Sequence, residues 1–287
     1  MISNQLAQKC SEPKYWLLGI AASLMAVNLT LIWRSDNVDV MGTSLLFWGC
    51  VAVLISERKD ELRLDSDLFS SLAGVLLIAL VMLKSATVSG YDIFLRVAPL
   101  MSGLGIGLLA SGARGIKQYW QEILMLGFIA IPPGLVLRLV DTAPATAKFS
   151  GFLLWYLGAD VTREGIYIML PEGSVEVGIG CNGLNLILQL LGLSMLVLLM
   201  FPTKKIHKVI VPVVGAIVAF AVNAARVALL AAIVASGNNK AFAYWHHGDG
   251  SLIFSTIAVA IFGAFCWLAI LREEPDNEEP DNKVAGE

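Results

Sequence analysis

Long apolar runs constrain the fold of this chain more than any other feature of its sequence. The hydrocarbon core of a bilayer is about 30 Å thick, so a helix that crosses it needs about 20 mostly apolar residues. Runs of this kind occupy roughly residues 15–33, 41–55, 68–83, 93–112, 121–137, 183–200, 209–235 and 251–271, the second and third being short. Only 15% of the 287 residues are charged, which is too few to cover a soluble domain. The sequence therefore predicts an all-α polytopic membrane protein with about eight transmembrane helices.

The positive charges of the loops predict how these helices are oriented. They are concentrated in alternate loops: Lys9 and Lys14 before the first run, Arg58, Lys59 and Arg63 after the second, Arg114 and Lys117 after the fourth, and Lys204, Lys205 and Lys208 after the sixth. The other loops (34–40, 84–92, 138–182 and 236–250) are longer in total and poorer in lysine and arginine. Because cytoplasmic loops carry the excess of positive charge, we expect both termini in the cytoplasm and these other loops on the outer face.

The longest outer loop contains two signals of local structure. Residues 142–159, TAPATAKFSGFLLWYLGA, predict a short amphipathic helix in the membrane interface, with four interfacial aromatic residues: Phe149, Phe152, Trp155 and Tyr156. Residues 165–180, GIYIMLPEGSVEVGIG, alternate in character around a Pro-Glu-Gly-Ser turn. This pattern predicts a small hairpin whose second strand leads to Cys181.

The chain divides into one large and one small part. We predict a single integral-membrane domain over residues 1–272. Residues 273–287 are charged and interrupted by proline, which is typical of a disordered tail, here on the cytoplasmic side. We expect no nucleic-acid partner for a chain of this class.

The cysteines exclude some kinds of site and favour another. Four are present, widely spaced and with no CxxC pair or His/Cys cluster: Cys10, Cys50, Cys181 and Cys266. This spacing argues against a zinc site or a disulfide scaffold, and we expect no metal and no cofactor. Cys181 alone lies on the predicted outer face, just before a helix that begins near Gly183, where unpaired backbone N–H groups favour a thiolate. Gly180 and Gly183 leave room for a substrate backbone. The alternative is that Cys181 is a small hydrophobic residue that fills a gap.

An arginine lies inside the seventh apolar run, FAVNAARVALLAAIVAS. Arg226 is about two helical turns from the outer end of this run, and burying its charge in lipid costs at least about 2.5 kcal/mol. It should therefore face the bundle interior or a water-filled cavity, and Asn223, three residues earlier, is on the same face and could orient it. The alternative is a structural arginine that snorkels or pairs with an outer carboxylate: Asp160, Glu172 or Glu176.

Two histidines precede the last apolar run, in YWHHGDGSLIF. His246 and His247 are the only histidines on the predicted outer face, and they could simply cap the helix beside the interfacial Tyr244–Trp245 pair. With Cys181 and Arg226, however, they complete a set from three successive helices on one side of the membrane. A thiol nucleophile, a base with a pKa near neutrality and a fixed cation are the groups that acyl transfer needs.

The motifs GCNGL, NAAR and H…GSLIF, with the lead-in WYLGADVTREGIYIMLPEGSVEVGIG, resemble the exosortase/archaeosortase family of membrane cysteine transpeptidases over roughly residues 145–270. The family more often has Ser or Ala after its cysteine. Asn182, together with YWHHG, looks closer to the cyanoexosortase branch. The more variable N-terminal helices are compatible with the family but do not identify it.

The resemblance implies a role for each motif residue. Cys181 would be the nucleophile and Arg226 its required partner. The family's histidine lies four residues before a glycine, here Gly250, so His246 matches better than His247. We expect catalytic residues Cys181, Arg226 and His246, supported by four neighbours: Asn182, Gly183, Asn223 and His247.

The resemblance also implies a substrate. Family members act on secreted proteins whose C-terminal signal combines a Pro-Glu-Pro-like motif, one transmembrane helix and a basic tail. They cleave at this signal on the outer face and transfer the protein to a lipid or polysaccharide-type acceptor, with a possible accessory protein. Two other classes remain open on the residues alone. One is a small-solute transporter or channel with Arg226 as an anion site, and the other is a scaffold subunit with no site of its own.

Overall fold

The structure is a computed structural model that describes residues 13–36, 38–90, 92–246, 248 and 250–272. Lys9, Cys10, His247 and the predicted tail 273–287 lie outside these residues. The first half of the chain is helical. Its elements are α1 (Pro13–Arg34), α2 (Val38–Glu57), α3 (Leu68–Ser85), α4 (Phe94–Gly115), a 3-10 turn (Ile116–Tyr119), α5 (Trp120–Ala130) and α6 (Pro133–Leu137).

The second half adds a small sheet to the helices. Its elements are α7 (Ala143–Tyr156), β1 (Thr162–Glu164), β2 (Tyr167–Leu170), β3 (Gly173–Glu176), α8 (Leu184–Met200), α9 (His207–Ala235), α10 (Asn239–His246) and α11 (Gly250–Cys266), which continues as a π-helical turn (Trp267–Leu271).

The prediction of an all-α polytopic membrane protein is confirmed. Within the described residues, six helical stretches are long and apolar enough to cross a membrane: Pro13–Arg34, Val40–Glu57, Leu68–Ser85, Phe94–Ala130, His207–Ala235 and Gly250–Ile270. Leu184–Met200 is apolar but shorter. Each of the eight predicted runs overlaps one of these seven helices, and two of the runs, 93–112 and 121–137, overlap Phe94–Ala130.

The fifth predicted span, 121–137, is not one helix. Helix α5 ends at Ala130, and Ile131 is extended, with ψ 113°, before the five-residue α6. Pro132 and Pro133 explain the break, because proline has no backbone N–H to donate and disfavours the helical conformation in the residue before it. The prediction of a continuous helix here was wrong.

Helix α5 folds back against α4. A Cβ atom added to Gly103 of α4 would lie 2.5 Å from Leu126 Cδ1 of α5. The reversal begins near the end of α4, where Gly112 has φ 65°, and continues through the 3-10 turn that follows the helix. Helices α3 and α4 also approach closely, since a Cβ on Gly74 would lie 2.6 Å from the carbonyl oxygen of Gly105. Small residues at such contacts are typical of helix packing in membranes.

The helix predicted in the long outer loop is present as α7. Its small and hydroxyl residues are buried, among them Thr146, Ala147 and Ser150, while Phe152 and Trp155 are more than half exposed. Ser150 Oγ donates to the carbonyl oxygen of Ala224, 2.9 Å away, and thereby attaches α7 to α9. Three of the four predicted interfacial aromatics, Phe152, Trp155 and Tyr156, are thus largely exposed, whereas Phe149 packs against Phe220 of α9.

The predicted hairpin is present and belongs to a three-stranded antiparallel sheet in the order β1-β2-β3. Strands β2 and β3 pair with Tyr167 opposite Glu176. Ile168 and Val175 are buried, and a Cβ on Gly173 would lie 3.0 Å from Val234 Cγ1, so the sheet packs on the end of α9. Strand β1 was not predicted, since all three of its residues are exposed and show no alternation.

Candidate active site

The sheet leads directly to Cys181. After β3, the N–H of Val177 donates to Ile166 O and the N–H of Cys181 donates to Gly178 O, both at 3.0 Å. Helix α8 then begins at Leu184, as the sequence predicts. Cys181 is a free thiol and only 5% exposed. Its position at the end of an ordered turn fixes the thiol at the boundary between the sheet and the helical bundle.

Asn182 and Gly183 shape the start of α8. Asn182 Oδ1 accepts a 3.0 Å hydrogen bond from the N–H of Leu184, which satisfies one of the unpaired donors of the first helical turn. Gly183 has φ 84°, a left-handed conformation that favours glycine. A Cβ at this position would lie 2.7 Å from Asn223 Nδ2. We had expected the space at Gly183 to accommodate a substrate backbone, but Asn223 occupies it. Gly180, in contrast, faces open space.

His246 reaches Cys181 from the short helix α10. The distance from Cys181 Sγ to His246 Nε2 is 3.0 Å, and either atom can be the donor, depending on the tautomer of the imidazole. The imidazole stacks on Phe242, one helical turn earlier, with ring centroids 4.9 Å apart and planes inclined by 16°. This stacking restricts the rotation of the ring about its side-chain bonds. Of the two candidate histidines, His246 therefore contacts the thiol, and His247 lies outside the described residues.

Arg226 contacts the same histidine through its backbone. Its Nη2 donates to the carbonyl oxygen of His246, 2.9 Å away. Arg226 Nε is buried and has no hydrogen-bond partner among the described residues. The guanidinium makes no ion pair with any of the three outer carboxylates considered from the sequence: Asp160, Glu172 and Glu176.

Asn223 does not orient Arg226. It is almost fully buried, and its Nδ2 donates to the carbonyl oxygen of Cys181 at 2.9 Å. The sequence suggested that Asn223 could orient Arg226, but the hydrogen bond of its amide goes to Cys181 O instead. The amide thus reaches the loop before α8 instead of the next arginine along its own helix.

Two forces act on the acidity of the Cys181 thiol. Burial raises its pKa, because the thiolate loses solvation, and the positive charge of Arg226 lowers it. Burial has the larger effect, so the pKa is raised overall. The sequence had favoured a thiolate at the start of α8. In the structure the burial of the thiol opposes that expectation, and Sγ lies 3.0 Å from a histidine that can accept its proton.

Two threonines at this site were missed from the sequence. Thr142 Oγ1 and Thr146 Oγ1 both donate to the carbonyl oxygen of Asn182, at 2.8 and 2.9 Å. Thr142 lies 40 positions before Asn182, in the residue that precedes α7, and Thr146 lies 36 positions before it, within α7. The only signal available was their spacing of four, which places both hydroxyls on one face of a helix.

The arrangement brings together a nucleophile, a base and a cation, and it contains no cluster of metal ligands. Within the part of the chain that the structure describes, no three His, Cys, Asp or Glu side chains lie close enough together to hold a metal ion. The chemistry that these groups support is transfer of an acyl group through the thiol.

Comparison with known proteins identifies the family. The profile of the transmembrane exosortases (Exosortase_EpsH) matches residues 33–263, most of the chain, and so includes N-terminal helices that we had considered uninformative. No curated protein and no solved structure shows significant similarity to the chain. The match covers Cys181, Arg226 and His246 together with the helices that carry them. This protein therefore belongs to the transmembrane exosortase family.

Proposed function

We propose that this protein is a membrane cysteine protease and transpeptidase that cleaves the C-terminal sorting signal of secreted proteins. The observation that carries the proposal is the 3.0 Å contact between Cys181 Sγ and His246 Nε2, with the Arg226 guanidinium bound to the backbone of the same histidine. Membership of the exosortase family supports a reaction on sorting signals. The catalytic residues of the proposal are Cys181, His246 and Arg226.

In the first half of the reaction, His246 Nε2 takes the proton of the Cys181 thiol as sulfur attacks the carbonyl carbon of the scissile peptide bond. This transfer forms the thiolate, which burial of Cys181 disfavours because it raises the pKa of the thiol. The oxyanion that forms is stabilised by the positive charge of Arg226. When the C–N bond breaks, the leaving amine takes the proton from His246, and the secreted protein remains attached to Cys181 as a thioester.

In the second half, a nucleophile of the acceptor replaces the amine. His246 removes its proton as it attacks the thioester carbonyl, the C–S bond breaks, and the proton returns to the Cys181 sulfur. An acceptor of the lipid or polysaccharide type supplies a hydroxyl or amine for this step, and water in its place gives hydrolysis.

The same proposal places the reaction in the cell. The alternation of loop charges puts both termini in the cytoplasm and Cys181 on the outer face of the cell membrane. A substrate held by its own transmembrane helix would present its scissile bond at the depth of Cys181. Residues 145–270 form the catalytic part of the single domain 1–272. Asn182 favours the cyanoexosortase branch, and an accessory membrane protein is part of the expected system.

Cys181→Ala tests the proposal most directly. We expect processing of a co-expressed secreted protein with a Pro-Glu-Pro-like motif, one transmembrane helix and a basic tail to fall by at least about 10³-fold, because removal of a catalytic nucleophile leaves only background catalysis. The measurement is the loss of a C-terminal tag from the substrate, with the amount of inserted enzyme determined in parallel. Cys266→Ala is the matched control, since Cys266 is also 5% exposed and lies in α11, away from His246.

Equal processing by wild type and Cys181→Ala would contradict the proposal. A transporter or channel with Arg226 as an anion site predicts a different pattern, in which solute flux into proteoliposomes depends on Arg226 and is indifferent to Cys181. A scaffold subunit would tolerate replacement of Cys181, Arg226 and His246 alike.

A further inference from the structure

The loop that carries Cys181 is held from two sides by buried side chains of neighbouring helices. From α9, Asn223 Nδ2 donates to the carbonyl oxygen of Cys181 at 2.9 Å. From the side of α7, Thr146 and Thr142 donate to the carbonyl oxygen of Asn182 at 2.9 and 2.8 Å. Two successive carbonyl groups of the loop are therefore attached to two different helices.

These bonds fix the backbone on the C-terminal side of the thiol. A carbonyl oxygen has two lone pairs, and the two hydroxyls occupy both of those on Asn182. Because a peptide unit is planar, fixing the carbonyls of Cys181 and Asn182 fixes the orientation of two consecutive peptide planes. The N–H of Cys181 is held as well, by Gly178 O at 3.0 Å. The remaining freedom of Sγ is the rotation of its own side chain.

Catalysis by a thiol and an imidazole depends on how precisely the two groups are held relative to each other. Reacting groups must be held within about 0.5 Å of the productive geometry, and a displacement of about 1 Å can reduce the rate about 10²-fold. Helix α10 determines where His246 lies, whereas the loop after β3 determines where Cys181 lies. The two elements are remote in sequence, so the distance between Sγ and Nε2 depends on how firmly the loop is attached to the bundle.

We propose that Thr146 and Asn223 are positioning residues that set the geometry of the Cys181–His246 pair. The inference rests on the proposed function, in which that pair carries out the reaction. Thr146 is the sharper test of the two, because its side chain is fully buried and replacing it with valine removes the hydroxyl while keeping the shape. Thr142 shares the same acceptor and contributes less, since it lies before the first residue of α7.

Ser150 provides a matched control within the same helix. It lies one turn after Thr146, is also fully buried, and donates a bond of the same length, 2.9 Å. Its acceptor is the carbonyl oxygen of Ala224 in α9, not the loop. If buried hydroxyls of α7 serve only to attach helices, Thr146→Val and Ser150→Ala should have the same consequences.

The experiment compares Thr146→Val, Thr146→Ser and Ser150→Ala in the full-length protein. We expect Thr146→Val to lower kcat for substrate cleavage about 10-fold with little change in KM, since the loop moves relative to His246 while the substrate contacts remain. Thr146→Ser restores the hydroxyl and should recover most of the rate. Ser150→Ala should leave kcat unchanged.

A second measurement does not depend on any substrate. In proteins whose other three cysteines are replaced by alanine, alkylation of Cys181 by a small thiol reagent is followed from pH 5 to 10. A thiol paired with His246 reacts at a lower pH than an unpaired one, because the imidazole accepts its proton. We expect the alkylation profile of Thr146→Val to move to higher pH, and those of Thr146→Ser and Ser150→Ala to match the parent protein.

The outcomes separate the inference from the proposed function. Identical alkylation profiles and rates for Thr146→Val and Ser150→Ala would overturn the positioning role. This result does not depend on which substrate the protein cleaves. A shifted profile in a protein that cleaves no substrate would support the positioning role while contradicting the proposed function. If Thr146→Val does not fold, Asn223→Ala, which removes the bond to the carbonyl oxygen of Cys181, takes its place, and an unchanged profile in that folded variant overturns the inference.

Discussion

Two polar clusters in this protein contain an arginine, and they treat its charge differently. Near the α4–α5 turn, Arg58 pairs with the carboxylate of Glu122, which is 3% exposed, and also donates to Gln118 O at 3.3 Å. At the candidate active site, the hydrogen bond that Arg226 makes within the described residues goes to the neutral carbonyl oxygen of His246. Among the described residues, no carboxylate lies within 4 Å of its guanidinium.

The difference indicates what each cluster is for. A positive charge that is already neutralised can stabilise little further negative charge, so the Arg58–Glu122 pair fits a role in holding the α4–α5 turn to the end of α2. A positive charge that lacks a counter-ion is costly in the folded state, and that cost is recovered when a negative charge forms beside it. Attack of the Cys181 sulfur on a carbonyl produces such a charge. Under the proposed function, the Arg58–Glu122 pair therefore contributes to stability and Arg226 to the chemistry.

Removal of one partner of the Arg58–Glu122 pair should have the largest effect on stability. We expect Glu122→Ala to lower the free energy of unfolding by about 3 kcal/mol, the lower end of the range for a broken buried pair, because the Arg58 side chain is 29% exposed. Unfolding in mixed detergent micelles measures this change. The activity of the molecules that remain folded should equal that of the wild type.

The double variant Arg58→Met/Glu122→Leu controls for the loss of packing. It removes both charges, so most of the lost stability should return. If Glu122→Ala abolished processing without altering stability, the division between the two clusters would be wrong.

The sequence was sufficient to predict most of the long helices, one hairpin and the residues with distinctive chemistry. Apolar length identified the long helices, and alternation around Pro171 identified the β2–β3 hairpin. Arg226 stood out as a charge inside an apolar run, and Cys181 and His246 stood out by their place at the predicted outer ends of such runs. These signals are local, and each can be recognised without knowledge of the neighbouring elements.

The contacts that connect the elements could not be predicted in the same way. Asn223, Thr146 and Arg226 all donate to backbone carbonyl oxygens, at Cys181, Asn182 and His246. Every residue has such an oxygen, so no residue type marks the acceptor. The two ends of the Asn223 bond lie 42 positions apart, and only the packing of α9 against α8 brings them together.

A substitution at Gly183 should distort the site more than it destabilises the protein. The left-handed φ of 84° costs a residue with a side chain about 1–2 kcal/mol, and the new Cβ would lie 2.7 Å from Asn223 Nδ2. Since Asn223 must move, we expect Gly183→Ala to lose the bond to Cys181 O and to reduce processing about 10-fold or more, as expected for a displacement of about 1 Å or less. Tag loss from the substrate and unfolding in micelles are measured together.

Gly178→Ala is the matched control in the same loop. Gly178 has no positive φ and no heavy atom within 4 Å of an added Cβ, so its replacement should leave processing near the wild-type rate. Equal losses in the two variants would show that the loop tolerates no side chain for reasons unrelated to Asn223.

The smallest expected effect concerns the charge of Arg226 and the acidity of Cys181. Arg226 lowers the pKa of the thiol while burial raises it, so Arg226→Gln removes the opposing influence and the pKa should rise further. At a fixed pH below that pKa, less thiolate is present and alkylation of Cys181 should slow. The midpoint of the alkylation profile should accordingly move to higher pH. Arg163→Gln is the control, because it removes an exposed cation of β1 whose side chain, among the described residues, donates to Gly165 O, and it should leave the midpoint unchanged. An unchanged midpoint in Arg226→Gln would mean that the guanidinium exerts no effect on the thiol, and the contrast between the two arginines would then rest on Arg58 alone.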